Sequence, residues 1–508
     1  MQLATSEVVN PHQFAQGGGA GAQGGDRWHP WGMAITDRPD TPDADIDLTT
    51  VDVAGIVSRV RDTYDRGRTR PIEWREEQLD GLVRMLELES PRLEAALAAD
   101  MGKPAMEGFT TDVGFIATEI AAMRKHVAKW AKPRKVRLPI TAMPGKGYIV
   151  PEPLGVALVI APWNYPINLL LLPVAAAIAA GNAVIAKPSE LAGETSRALA
   201  ELVPRYVDPE AIAVIEGDVA VATELLEQRF DHIFYTGSTD VGRIVATAAA
   251  RYLTPVTLEL GGKSPVLVDD SANIEVTGRR LAWGKWLNAG QTCVAPDYVL
   301  VTEKTRDALV DSMRTAFDEF ADGKGTKDNA DFTAIVNERH ATRLQGLLAD
   351  HGGTVAHGGA SDIAAKHVEP TIVVDPDPDS PLMRQEIFGP ILPIITVESM
   401  HEAVEFVNDR EKPLALYVFA EDGDVADELL ARTTSGGACV NHVIQHLIPA
   451  DLPFGGVGES GTGRYHGRSG FDTFSNLRSV LEKPTKMDLK MLYPPYTATK
   501  EKLLRRFI

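Results

Sequence analysis

Cysteine is nearly absent: the 508 residues include two, Cys293 and Cys439. Two thiols cannot build a disulfide framework, and such scarcity fits a reducing compartment, so a cytoplasmic location is expected. Excess positive charge is missing as well. Lys and Arg number 51 against 70 Asp and Glu, for a formal net charge of -19. That balance repels phosphate backbones and anionic lipid, leaving no electrostatic footprint for nucleic acid or a polybasic membrane contact. No basic segment followed by an apolar core and a small-residue cleavage site occurs near the N-terminus, so a secretory signal peptide is not expected. The uncharged stretch 153–186 is long enough to span a bilayer, but Pro162, Asn164, Pro166, Asn168, Pro173, Gly181 and Asn182 interrupt it. It reads as strand, turn, helix and turn instead.

What is present is an ordinary globular balance, 44% apolar and 24% charged, with length for two or three domains. Residues 1–50 differ: a Gly-rich stretch, Gln16 to Gly21, precedes a proline-containing segment with five acidic residues between Asp37 and Asp47. Such a composition buries too little apolar surface to order itself, and a flexible extension is expected there. From Val51 onward an apolar stripe at helical spacing appears, Ile56, Val57, Val60 and Tyr64, then Leu79, Leu82, Val83 and Leu86. Beyond Tyr148 short apolar runs alternate with helix-length segments. The runs 155–160, 183–186, 211–215, 232–235 and 256–260 form one series, and 371–374, 391–395, 416–419 and 438–440 a second. The expected fold is α/β, with two doubly wound parallel-sheet domains. Cys439 reads as a buried strand residue of the second.

Cys293 follows Gly290-Gln291-Thr292, and Glu259 lies 34 positions upstream in Glu259-Leu260-Gly261-Gly262-Lys263. A thiol nucleophile and a carboxylate able to activate water suit a covalent thioester route. A lone cysteine is more often an inert small hydrophobe. Here the polar neighbours Asn288, Gly290, Gln291 and Thr292 suggest a flexible approach that a core-filling residue has no use for. Asn164, between Pro162-Trp163 and Tyr165-Pro166, is an amide donor in a stiff setting, either for an oxyanion or simply as a turn former. Gly237-Ser238-Thr239-Asp240-Val241-Gly242 follows a strand and can cap a helix whose N–H groups face a pyrophosphate, although many folds use such a turn. Lys187 and Glu190 at another strand end suit ribose hydroxyls, where a carboxylate disfavours a 2′-phosphate; a solvated surface pair is the plainer alternative.

These motifs, with Glu386-Ile387-Phe388-Gly389-Pro390, occur in the order found in the aldehyde dehydrogenase superfamily, which the chain resembles from about Val51 to Ile508. Leu452-Pro453-Phe454-Gly455-Gly456, Tyr465-His466-Gly467 and Phe471-Asp472-Thr473-Phe474-Ser475 are similar to its class 3 branch, which handles fatty and aromatic aldehydes. The resemblance implies NAD(P)-dependent oxidation of apolar aldehydes to acids. Cys293 would be the nucleophile, Glu259 the activator of water and Asn164 the oxyanion donor. Trp163, Lys187, Glu190, Gly237, Ser238, Gly242, Glu386 and Phe388 would contact the cofactor, NAD with NADP also tolerated, and no metal is implied. Phe115, Tyr165, Trp283, Leu447, Ile448 and Phe454 would line the substrate entrance.

It also implies a cofactor domain at 51–132 and 151–260, a catalytic domain at 261–441, and a bridging β element with the C-terminal segment at 133–150 and 442–508, which would pair two subunits into a homodimer. His442 departs from the acidic residue common at that place, and the apolar C-terminal anchor of membrane-bound fatty aldehyde members has no match here, so stable membrane insertion is not expected. An enzyme that passes its thioester to coenzyme A, a cysteine hydrolase and a non-catalytic protein of the same fold are the alternatives. Glu259 argues against the first, because a thiol acceptor needs no water-activating base.

Overall fold

Residues 156–160 read Val-Ala-Leu-Val-Ile and are buried throughout, as befits a strand covered on both faces. They form the middle of a six-stranded sheet in the computed structural model, which describes residues 51–486, 488 and 490–505. The N-terminal stretch expected to be flexible, and Arg506, Phe507 and Ile508, lie outside the described residues.

In spatial order this sheet runs Gly461–Thr462, Val256–Glu259, His232–Thr236, Val156–Ile160, Ala183–Lys187 and Ile212–Val214. All neighbours are parallel except Gly461–Thr462, which adds antiparallel to the Val256–Glu259 edge. The uncharged stretch resolves into the strand Val156–Ile160, the helix Asn168–Ala180 and the strand Ala183–Lys187. That helix is apolar on every side because it is wrapped by sheet and helices, and Gly181 ends it in the left-handed conformation. Among the described residues no helix is long and apolar enough to cross a membrane.

Helix Val53–Asp65 lays its apolar stripe on this sheet, burying Val57 and Val60, while Ile72–Leu88 packs on the helices Gly114–Trp130, Asn168–Ala180 and Gly193–Tyr206 and buries Leu79, Leu82 and Leu86. A second sheet of seven strands runs Thr354–His357, Thr371–Val374, Ile391–Val397, Tyr298–Thr302, Pro265–Val268, Ala415–Phe419 and Gly437–Val440. It too is parallel apart from its first strand. The chain passes from one sheet to the other in the five residues 260–264. A third sheet joins Arg134–Val136, Lys146–Pro153 and Ser475–Glu482 antiparallel. Its first two strands form a hairpin within the stretch expected to hold the bridging β element, and both outer strands are largely exposed.

Candidate active site

Helix Ile274–Trp286 starts on the side chain of Asn273, which accepts from the Val276 N–H, and ends at a break in the helical path. Asn288, Ala289 and Gly290 follow with φ of 51°, 48° and 68°. Glycine is required at the third position because a Cβ there would lie 2.3 Å from the Gly389 carbonyl oxygen. Gln291, Thr292 and Cys293 follow directly on this coil.

The polar flank does not form the flexible approach expected from sequence. Gln291 donates to the Asn288 and Ala334 carbonyls and accepts from the Val336 N–H, each at 3.0 Å, while Thr292 shares a 2.6 Å hydrogen bond with the Tyr165 hydroxyl. Asn288, Gln291 and Thr292 are all buried. Flexibility was the wrong inference because Asn288 Nδ2, both polar atoms of the Gln291 amide and the Thr292 hydroxyl each have a fixed partner, and only Asn288 Oδ1 among these side-chain atoms has none.

Cys293 is partly exposed, and the N–H groups of Cys293 and Val294 point at its sulfur. Desolvation, helped by the charges of Glu386 and Glu259, pushes its thiol up to about 12, so the resting group is protonated at neutral pH. Glu259 ends the strand Val256–Glu259. Both of its carboxyl oxygens are buried without a hydrogen-bond partner, and burial raises its pKa well above the ordinary value against the attraction of Arg464. Glu386 is pushed up to about 8 by burial and by Asp297; its Oε1 also lacks a partner, and a Cβ on Gly261 would meet its carboxylate at 2.1 Å.

Asn164 lies in the turn between the strand Val156–Ile160 and the helix Asn168–Ala180. It is 2% exposed, its Nδ2 donates to the Gln291 carbonyl at 3.1 Å, and its Oδ1 is unpartnered. Its main-chain oxygen accepts from Lys103 and from Asn288 Nδ2, both at 3.0 Å. Lys103, with Glu107 and Asp112 beside it, was missed from sequence. The one available signal was Gly102, a left-handed helix cap that turns the next residues inward.

Among the cofactor candidates, Lys187 is buried at its strand end with Nζ 3.3 Å from Glu190 Oε2, and the Glu190 side chain is 41% exposed. Gly237 and Gly242 sit in close quarters: a Cβ would come within 2.2 Å of the Tyr235 hydroxyl and 2.6 Å of Leu260 Cδ2 respectively, so either side chain would have to shift. Ser238 occupies the N-cap of helix Thr239–Ala250, but its hydroxyl does not cap the helix. That corrects the expected capping role and leaves the first-turn N–H groups without a side-chain partner. Trp163 packs edge-on against Phe388 with ring centroids 5.4 Å apart, and Phe388 holds φ of 46°, uncommon for a bulky residue.

Of the entrance candidates, Tyr165 and Phe454 are buried, whereas Phe115, Trp283 and Leu447 pack half-buried against the main core. Ile448 is 54% exposed. Trp283 meets the His442 ring at 5.7 Å and Phe454 meets Tyr465 at 5.8 Å. His446, one turn away, has both ring nitrogens buried and unpartnered, and burial pushes it down to about 4; burial lowers His442 as well. Cys439 is half-buried rather than buried, because its strand Gly437–Val440 is the sheet edge. No cluster of His, Cys, Asp and Glu with metal-binding geometry occurs among the described residues.

A family model described as "Aldehyde dehydrogenase family" matches residues 45–480. The chain is 46% identical over 448 residues, 88% of its own length and 98% of the relative's, to "Aldehyde dehydrogenase, dimeric NADP-preferring" of Rattus norvegicus. It is also 46% identical over 446 residues to "Aldehyde dehydrogenase family 3 member A2" of the same organism, covering 87% of this chain and 92% of that one. Among solved structures, the "substrate bound state" of Staphylococcus aureus AldH superposes with a TM-score of 0.87 at 40% identity, across 90% of this chain and 99% of that one.

Proposed function

The chain belongs to the aldehyde dehydrogenase family, and from that premise we propose which residues carry its reaction and which aldehydes it takes. It is an oxidoreductase that converts aldehydes to carboxylic acids with a nicotinamide dinucleotide. Cys293 Sγ adds to the carbonyl carbon as its proton passes to solvent, while Asn164 Nδ2 and the Cys293 N–H hold the oxygen that becomes negative. When bound, NAD(P)+ supplies the hydride acceptor for that carbon, and the product on Cys293 is a thioester. Glu259 then takes a proton from water, the oxygen attacks the thioester carbon, and cleavage of the C–S bond releases acid and thiol. The observation that carries this reading is the Glu259 carboxyl, buried near Cys293 with neither oxygen bonded. A structural carboxylate so placed would be paired.

The residues present fit a dinucleotide. Lys187 and Glu190 suit a ribose, and Gly237, Ser238 and Gly242 leave backbone N–H groups of Thr239–Ala250 open to a pyrophosphate. The lone Glu386 Oε1 suits the hydroxyls of the second ribose, with Trp163 and Phe388 beside it. NAD is the proposed cofactor, with NADP also used, and one relative is named NADP-preferring. The substrates are apolar aldehydes, medium or long aliphatic or aromatic, entering past Phe115, Tyr165, Trp283, Leu447, Ile448 and Phe454. The enzyme is a cytoplasmic homodimer: the three-stranded sheet has open edges on both sides and is marginal alone, and one relative is named dimeric. A panel of aldehydes of graded chain length, assayed with NAD+ and with NADP+, tests the reading. Acid as the product, formed at the same rate with or without coenzyme A, is the expected result; an acyl-coenzyme A product would replace hydrolysis with acylation.

A further inference from the structure

Beneath the two reactive loops lies a buried charge cluster for which the chemistry above has no use. Lys103 and Asp112 have fully buried side chains paired at 2.9 Å, and Glu107 is buried beside them. All three belong to one short stretch that leaves helix Ser90–Met101, turns through Ala105–Gly108 and becomes the π-helical segment Phe109–Val113. Such widened turns gather at functional sites. Stability does not explain the charges, because well-packed apolar residues usually serve a core as well or better.

Their contacts explain them better. Lys103 Nζ donates to the Asn164 carbonyl and lies 4.3 Å from the centre of the Tyr165 ring. Asp112 Oδ1 accepts from the N–H groups of Ile167 at 3.3 Å and Asn168 at 3.1 Å, so the ion pair grips the Asn164 turn at both ends. Glu107 accepts from the Asn288 N–H at 2.9 Å and from the Thr333 hydroxyl at 3.3 Å, holding the first residue of the left-handed coil that leads to Cys293. Asn288 closes the bracket. Its Nδ2 donates at 3.0 Å both to the Asn164 carbonyl of one loop and to the Gln291 carbonyl of the other.

We infer that Lys103, Glu107, Asp112 and Asn288 are positioning residues, a buried bracket that sets the Asn164 amide against Cys293. The inference rests on the reading of Asn164 as the oxyanion donor. A displaced donor stabilises charge that develops in the transition state less well but leaves aldehyde binding intact, so the cost falls on kcat and not on KM.

The test is a double-mutant cycle on the full-length enzyme. Asn288→Gly keeps the backbone, since glycine accepts a φ of 51° without strain, and removes both amide donors. Lys103→Met with Asp112→Asn removes both charges of the ion pair together, so neither partner is left without the other. With thermal midpoints recorded, each change is expected to lower kcat by about 10-fold or more and to move KM by less than about 3-fold, because loss of a whole oxyanion donor costs roughly 100- to 1000-fold. In an Asn164→Ala background the same changes are expected to cost less than about 2-fold, since a bracket has nothing left to position. Losses that multiply undiminished in that background, or that fall on KM, would overturn the inference and mark the cluster as general scaffolding. If Asn164→Ala by itself leaves kcat unchanged, the oxyanion assignment is what fails, and the bracket falls with it.

Discussion

The side-chain amide of Asn164 donates to the main-chain oxygen of Gln291 at 3.1 Å, which ties the turn after Val156–Ile160 to the loop that presents Cys293. An amide carries two N–H donors, so one hydrogen holds the loop and the other stays available for a substrate oxygen. The geometry between the Asn164 amide and Cys293, the proposed donor and nucleophile, is thereby set before any substrate arrives. Preorganisation of this kind carries no reorganisation cost during the reaction.

Cys293→Ala is expected to abolish dehydrogenase and esterase activity, while Cys439→Ala stays within a few-fold of the parent. Burial raises both thiols, so resting acidity does not separate them. Position does: Cys293 faces the buried carboxyl groups of Glu259 and Glu386, whereas Cys439 sits on the strand at a sheet edge. Steady-state turnover of both variants decides it, and retained turnover without Cys293 would sink the covalent mechanism.

Glu259→Gln should slow deacylation more than acylation, because water activation is needed after the hydride has left. Rapid mixing is then expected to show a burst of reduced cofactor close to one per active site, with an acyl adduct on Cys293 by mass spectrometry. A lost burst with no adduct would assign Glu259 to the earlier step.

How much of this could be read from the chain follows from how each residue earns its place. The central strands were legible because a parallel sheet buried on both faces writes continuous apolar runs such as Val156–Ile160. The roles proposed for Cys293, Glu259 and Asn164 rest on distinctive flanks, which the sequence does write. Lys103, Glu107 and Asp112 were not, since charged residues on helical segments ordinarily face water and only tertiary packing turns these inward. The strand Gly461–Thr462 has two residues and joins an edge about two hundred positions upstream, so it left no periodicity to find. Cys439 misled because an apolar run does not say whether its strand is central or at an edge.

Glu190→Gln is expected to raise kcat/KM with NADP+ relative to NAD+ by several-fold. A carboxylate beside a ribose bonds its hydroxyls and repels a 2′-phosphate. Its pairing with Lys187 at 3.3 Å and its 41% exposure leave room to rotate aside, which keeps the discrimination modest. An unchanged ratio of the two specificity constants would show that the carboxylate points elsewhere.

Glu107 gives the fold a pH dependence of unusual sign. Desolvation raises its carboxyl to about 7, against the pull of Lys103 and hydrogen bonds from Asn288 and Thr333, with Asp112 adding to the rise. A folded pKa above the unfolded one means that protonation favours the folded state. That contribution is complete below about 4.5 and is lost as pH rises through about 7. Glu107→Gln has no proton to lose, so its stability relative to the parent should improve by roughly 2 kcal/mol between pH 5 and pH 8. Denaturant melts at both pH values measure this, and a constant difference between the two proteins would contradict it.

Substrate preference follows from the residues proposed to line the approach to Cys293. Tyr165, Phe454, Trp283 and Leu447 are apolar or aromatic, and the nearby histidines supply no cation, because burial lowers His442 and His446 and keeps both rings neutral at pH 7. Arg280, which acts on His442, is committed to the Asn441 carbonyl. Each methylene buried along such a surface contributes about 0.8 kcal/mol, roughly four-fold in kcat/KM. The specificity constant should therefore climb from two-carbon aldehydes to roughly eight carbons and then level off as the surface fills, with benzaldehydes accepted. Succinic semialdehyde should be poor, since its carboxylate would lose water without gaining a partner. Raising the temperature or the salt should not reverse this order, because desolvation of the carboxylate and not long-range charge sets it. Competition between octanal and succinic semialdehyde at equal concentration gives the answer directly: a preference for the semialdehyde would require a cation at the mouth, and His446, with two unpartnered ring nitrogens, would be the residue to replace first.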